Sequence, residues 1–102
     1  MSENLLNLVN TIRERKNKDK DKSYTSSLIS GGLSKCIDKM EEEFGELKEA
    51  LNDKSNEVHE AADTIYHILV TLEAANIKFE DVLQELENRK NQSGIEEKNN
   101  RK

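Results

Sequence analysis

The sequence contains no proline, only one cysteine and no long apolar run. Because Cys36 is the single cysteine, a disulfide within the chain is excluded. No segment approaches the roughly 20 apolar residues that a transmembrane helix needs, and the N-terminus lacks the apolar segment of a signal peptide. We therefore expect a cytoplasmic protein that does not associate with a membrane.

An excess of basic residues is also missing. The chain has 16 lysines and arginines against 21 aspartates and glutamates, which gives a formal net charge of −5. Binding to a nucleic-acid polymer requires a basic surface, so we do not expect this class of partner. An acidic protein that binds phosphate usually recruits a cation.

What the 102 residues do contain is typical of helices that bury one narrow apolar stripe, since 36% are charged, 33% are hydrophobic and four are aromatic. We predict an all-α fold, in which residues 1–22 form an N-terminal helix and charged linker, residues 23–89 the main domain and residues 90–102 a disordered tail. The core of so short a chain is small. A homodimer would bury more apolar surface.

Apolar residues recur at helical spacing in the two longest predicted helices. In the first, between Leu33 and Leu51, they follow steps of four and three, which predicts a stripe for helix–helix packing; its members are Leu33, Ile37, Met40, Phe44, Leu47 and Leu51. After a polar loop at residues 52–56, where Ser55 or Asn56 is expected to cap the next helix, a second stripe follows; its members are Val58, Ala62, Ile65, Leu69 and Leu72. The two helices are predicted to form a hairpin.

Shorter helices are predicted before and after this hairpin. Residues 4–14 have apolar residues at helical spacing, and a short helix should follow Ser23 and end at Gly31 and Gly32. Asn76 is expected to adopt a left-handed conformation that ends the hairpin, before a last helix around residues 79–86.

Two acid pairs lie on the predicted hairpin. Glu43 and Glu46 are three residues apart on its first helix, and Glu60 and Asp63 are three apart on its second. Like charges at this spacing destabilise a helix by roughly 0.2–0.5 kcal/mol per pair. Asp63 is also the only charged residue in the apolar stretch 61–72, and burying an unpaired carboxylate costs several kcal/mol. A divalent cation between the helices would remove both costs.

Four carboxylates packed together would form an all-oxygen site, which suits Mg²⁺ or Mn²⁺. Magnesium usually keeps several waters and takes phosphate oxygens of a substrate as further ligands. Glu42 is a spare carboxylate that would serve as a base. These residues predict a phosphate-cleaving site with one ion or more. The alternative is that the acids only form a solvated helix face.

Several motifs resemble phosphoribosyl-ATP pyrophosphatases; they are Ser23-Tyr24-Thr25, Glu42-Glu43-x-x-Glu46, Glu60-Ala61-Ala62-Asp63 and Tyr66-His67. The acid pattern is shared by the wider superfamily of MazG-like all-α nucleotide pyrophosphohydrolases, and the other motifs narrow it to the enzyme family of histidine biosynthesis. The resemblance covers about residues 23–89. It implies a helical homodimer that uses Mg²⁺ to convert phosphoribosyl-ATP to phosphoribosyl-AMP and pyrophosphate.

The resemblance also implies roles for individual residues. The expected metal ligands are Glu43, Glu46, Glu60 and Asp63. Glu42 would assist the metal or its water, Lys39 and Lys35 would meet phosphate oxygens, and Tyr24 would contact the substrate. His67 would orient a ligand or act as a structural histidine. Solvated lysines and a packing tyrosine are the alternatives for these positions.

Two other functions stay open. One is a house-cleaning pyrophosphohydrolase of the same superfamily, which would act on nucleotides such as dUTP or dCTP. The other is a non-catalytic helical dimerisation module, in which the acidic residues are only solvated surface.

Overall fold

Five α-helices and no strand are present in the part of the chain that the computed structural model describes, residues 2–19, 21 and 23–90. The helices are α1 (Ser2–Arg15), α2 (Tyr24–Ser30), α3 (Leu33–Asp53), α4 (Glu57–Ala74) and α5 (Phe79–Arg89). The all-α prediction is confirmed. None of these five helices is both long and apolar enough to span a bilayer. The predicted disordered tail lies outside the described residues, apart from Lys90.

Local signals account for the start of α2 and the end of α4. The Ser23 side chain accepts a hydrogen bond from the backbone N–H of Ser26 and so caps α2. Asn76 has a φ of 61°, which confirms the predicted left-handed residue after α4. Asn56 is the N-cap residue of α4, which is one of the two predicted positions, but it is left-handed and its side chain makes no capping hydrogen bond.

Gly32, just before α3, has a backbone conformation that favours glycine, with φ 98° and ψ 162°. We expect the substitution Gly32→Ala to lower the free energy of unfolding by about 1–3 kcal/mol, because a side chain is strained in this region. Gly31→Ala is the matched control, since its φ is −75° and the nearest atom to an added Cβ is the flexible Lys35 Cδ at 2.7 Å. Denaturant unfolding measures both variants. Equal stabilities would contradict the prediction.

Helix α4 contacts each of the other four helices and forms the centre of the fold. Its Leu69 and Val70 are buried in one apolar cluster with residues from the other helices; these are Val9, Ile12, Leu28, Cys36 and Phe79. Helix α1 therefore belongs to the same core, although it precedes the motifs of residues 23–89.

Ion pairs also attach α1 to the rest of the fold. Arg13 donates to Glu80 at 2.6 Å, and Lys16 Nζ lies 2.6 Å from a carboxylate oxygen of Glu73. The hydrogen bond from Arg13 lowers the pKa of Glu80 to about 2. The contact is thus electrostatic at its edge and apolar at its centre.

Two buried threonines set the register of the α3–α4 hairpin. Thr64 Oγ1 lies 3.2 Å from the carbonyl oxygen of Glu43, and Thr71 Oγ1 lies 3.2 Å from that of Cys36. Each hydroxyl also lies 2.7 Å from a carbonyl of its own helix, four residues earlier. Because both donors and both acceptors are seven residues apart, which is close to two helical turns, the pair locks one antiparallel alignment.

The apolar stripe predicted on α3 does not face α4. The hydroxyl contacts turn a different side of α3 inward, and its buried residues are Cys36, Glu43 and Ala50. The stripe instead has exposed fractions of 41% at Ile37, 46% at Phe44 and 58% at Leu51. On α4, Val58 and Ile65 are exposed as well. Both long helices therefore present large apolar side chains to solvent.

Candidate active site

Three carboxylates, those of Glu43, Glu60 and Asp63, meet where α3 packs against α4, and we call them the acid group. One carboxylate oxygen from each of Glu43, Glu60 and Asp63 lies within 4.8 Å of the other two. The threonine register explains the meeting, because Thr64 holds α4 against the α3 backbone at Glu43 itself. Three of the four predicted metal ligands are thus brought together.

Two oxygens of this group are buried without a hydrogen-bond partner among the described residues. They are Oε1 of Glu43 and Oε1 of Glu60. Glu43 is only 5% exposed, and its pKa is raised first by burial and then by the charges of Glu46 and Asp63. Buried polar atoms are nearly always partnered in proteins, and a buried charge needs a counter-charge. The oxygens present therefore fit a divalent cation.

Glu46, the fourth predicted ligand, lies beside this group rather than within it. It is exposed and, with Glu60, lines a groove of about 220 Å³ next to the loop that joins α3 to α4. Its charge still raises the pKa of Glu43, so the two carboxylates are close.

Lys39 is the basic residue that lies next to the buried carboxylate of Glu43. Its Nζ lies 3.4 Å from Glu42 Oε1 and 3.9 Å from Glu43 Oε2, and the hydrogen bond with Glu42 raises the pKa of Lys39. One lysine leaves the acid group with an excess of negative charge. Lys35, four residues earlier on α3, is exposed and lays its side chain over Gly31.

The structure corrects the expectation that Asp63 is the buried, unpaired acid. The Asp63 side chain is 44% exposed, and its Oδ2 lies 3.3 Å from His59 Nε2. The buried acid is Glu43. The apolar neighbours of Asp63 in the sequence reflect other faces of α4, which pack into the core. Sequence reasoning missed His59, although its spacing of four residues from Asp63 places it on the same face.

Three aromatic rings pack next to the acids. Tyr24 and Tyr66 are stacked with centroids 6.3 Å apart, and the ring of His67 meets each of them edge-on, at 5.9 Å and 5.2 Å. His67 is buried, and burial followed by the charge of Lys39 lowers its pKa, which favours the neutral imidazole.

Tyr24 combines exposure with proximity to the acid group. It is 56% exposed. Partial burial raises the pKa of its phenol, the charge of Lys39 acts in the opposite direction, and the charges of Glu43 and Asp63 raise it further. The structure thus places the predicted substrate contact beside the acids. Sequence reasoning had not assigned a role to its stacking partner Tyr66.

A larger groove, of about 780 Å³, lies elsewhere, between α1 and the turn from α4 to α5. Arg13, Glu73 and Glu80 line it, and they are already paired with one another. The charges of these three residues are therefore satisfied within the fold, whereas Glu43 and Glu60 each have a buried oxygen without a partner among the described residues.

Comparison with known proteins gives a family match over most of the chain. Residues 5–90 match the family described as phosphoribosyl-ATP pyrophosphohydrolase. The chain is 42% identical to the phosphoribosyl-ATP pyrophosphatase of Paracoccus denitrificans, over 93% of this chain and 90% of that protein. It is 44% identical to that of Roseobacter denitrificans, over 89% of each.

A longer relative also matches. The chain is 46% identical to the histidine biosynthesis bifunctional protein HisIE of Helicobacter hepaticus, over 93% of this chain and 42% of that protein. No solved structure matches the chain significantly.

Proposed function

Because the chain belongs to the phosphoribosyl-ATP pyrophosphohydrolase family, we propose that its acid group holds the divalent cation for the reaction of that family. The chain is a phosphoribosyl-ATP diphosphatase of histidine biosynthesis, which releases pyrophosphate from phosphoribosyl-ATP and leaves phosphoribosyl-AMP. The observation that carries the metal proposal is the pair of buried, unpartnered oxygens on Glu43 and Glu60, next to Asp63.

Glu43, Glu60 and Asp63 would bind Mg²⁺ or Mn²⁺ directly, since hard cations prefer oxygen ligands. The packed helices hold Glu43 and Glu60 in place before an ion arrives. Glu46 would supply a further oxygen from the next turn of α3, where its exposed side chain is free to change rotamer. A bound divalent cation would neutralise phosphate charge and lower the pKa of a bound water.

The remaining site residues would bind the substrate and transfer a proton. Glu42 is exposed and would take a proton from the attacking water. Lys39, which bridges Glu42 and Glu43, would turn to phosphate oxygens when the substrate arrives, and Lys35 would contact the more distant phosphate. Tyr24 would form a wall for the nucleotide beside the acids.

The exposed apolar residues of α3 and α4 would form the interface of a homodimer. Ile37, Phe44 and Leu51 are seven residues apart, which is close to two helical turns, so they lie on one side of α3 and form a continuous stripe. Monomeric proteins rarely leave a large apolar patch exposed. A second copy of the chain, with the same stripe, would cover it.

Pyrophosphate release by the purified protein tests the proposed function. We expect turnover of phosphoribosyl-ATP with Mg²⁺, its loss with excess chelator, and little or no release from ATP, dUTP or dCTP. Turnover of a deoxynucleotide instead would indicate a house-cleaning enzyme. The absence of any turnover, together with no stabilisation by Mg²⁺, would indicate a dimerisation module.

A further inference from the structure

A second, polar pocket of about 310 Å³ adjoins the aromatic rings. It is lined by Arg15, Ser23, Tyr24, Thr25 and Tyr66. The end of α1, the start of α2 and the middle of α4 meet there. Through Tyr24 and Tyr66, which both contact His67, the pocket is connected to the turn of α4 that follows Asp63.

The pocket is basic. Among the described residues, no carboxylate lines it and no acid forms an ion pair with Arg15. Arg13, two residues earlier on α1, is by contrast paired with Glu73 and Glu80. Arg15 thus carries an available guanidinium group, whose planar set of donors suits a phosphate.

Hydroxyl groups add neutral donors to this charge. Thr25 Oγ1 and the Tyr66 hydroxyl are hydrogen-bonded to each other, which uses one of their two protons and leaves the other available. The Ser23 oxygen accepts a bond from Ser26 N–H, so its own proton also remains. An arginine with hydroxyl donors and no acid is a site for an anion.

We propose that this pocket binds the phosphate of the phosphoribosyl group, the part of the substrate that ATP lacks. The inference rests on the proposed function, in which the acid group receives the triphosphate end. The substrate has phosphate at both ends, and the stacked tyrosines lie between the acid group and Arg15. A volume of about 310 Å³ suits a sugar phosphate rather than a whole nucleotide. Arg15 is then the residue that selects phosphoribosyl-ATP over ATP.

The substitution Arg15→Met removes the guanidinium and keeps an unbranched side chain. We expect kcat/KM for phosphoribosyl-ATP to fall by about 10- to 100-fold, mainly through a higher KM, as for the loss of a hydrogen bond to a charged group. Arg15→Lys should recover part of the loss. Stabilisation by Mg²⁺ should stay unchanged, because Arg15 does not contact the acids.

Arg89→Met is the matched control, because Arg89 is also exposed in the last turn of a helix and lies outside both sites. An unchanged KM in Arg15→Met, or an equal effect of Arg89→Met, would overturn the pocket assignment while wild-type turnover upheld the proposed function. A wild-type protein without chelator-sensitive turnover would overturn the proposed function and, with it, this inference.

Discussion

Replacing Glu43 by Gln is expected to reduce turnover strongly and also to make the metal-free protein more stable. The carboxylate is buried, and Glu46, Asp63 and Glu60 all raise its pKa by repulsion. Gln has nearly the same shape without the charge, so the repulsion and the burial cost disappear together. The melting temperature without metal should rise, by about 4–8 °C for each kcal/mol regained in a chain of this size.

Loss of function follows from the same change. Without the Glu43 charge the proposed cation is held weakly, and metal-assisted catalysis is worth several kcal/mol, so we expect kcat/KM to fall by about 1000-fold. The rise in melting temperature that Mg²⁺ produces in the wild type should also vanish. Activity and melting temperature, measured for both proteins with chelator and with Mg²⁺, test these two expectations.

The pH dependence provides an internal check on this prediction. A carboxyl group whose pKa is raised by folding costs stability only once it ionises, so the wild type should lose stability as pH rises from the usual glutamate range toward neutrality. The difference between Glu43→Gln and wild type should therefore be small near pH 4 and larger near pH 7. Glu41→Gln, an exposed neighbour on α3, is the control and should change none of these measurements. Full activity in Glu43→Gln would contradict the metal assignment.

Replacing Ile37 by Lys is expected to dissociate the proposed homodimer. Ile37 is 41% exposed in a single chain. It lies six residues before Glu43 in the sequence, so the substitution should not change the acid group. An unpaired charge buried at an interface costs several kcal/mol, which corresponds to roughly 1000-fold weaker association. Sedimentation or light scattering across a dilution series measures the change.

Gln84→Lys adds the same charge at an exposed position on α5 and should leave the assembly intact. If Ile37→Lys and the wild type have the same mass at every concentration, the stripe on α3 is not the dimer interface. A wild type that is monomeric throughout would contradict the homodimer itself.

Much of the local structure followed from the sequence. All five described helices were predicted at close to their observed positions, because apolar spacing and polar breaks are local signals within a single helix. The spacing of three residues between Glu43 and Glu46, and between Glu60 and Asp63, likewise identified the acids before any packing was known. The motifs around them indicated the family, and the comparisons confirmed it.

Only the tertiary structure decided which side of each helix is buried. Periodicity gives a helix an apolar face but not the partner of that face, and the hydroxyl bonds of Thr64 and Thr71 turn the stripe on α3 outward. That rotation buries Glu43, whereas Asp63, the acid expected to be buried, is half exposed beside His59.

Contacts between residues far apart in the chain could not be predicted from the sequence either. Arg15 and Tyr66 line one pocket from α1 and α4, and no spacing rule links positions on separate helices. Composition, helical periodicity and family motifs thus determined the helices, the acidic residues and the reaction. The rotation and contact of the helices decided which oxygens are buried, which apolar stripe stays exposed and where a basic pocket forms, because these depend on the docking of whole elements rather than on neighbours in the chain.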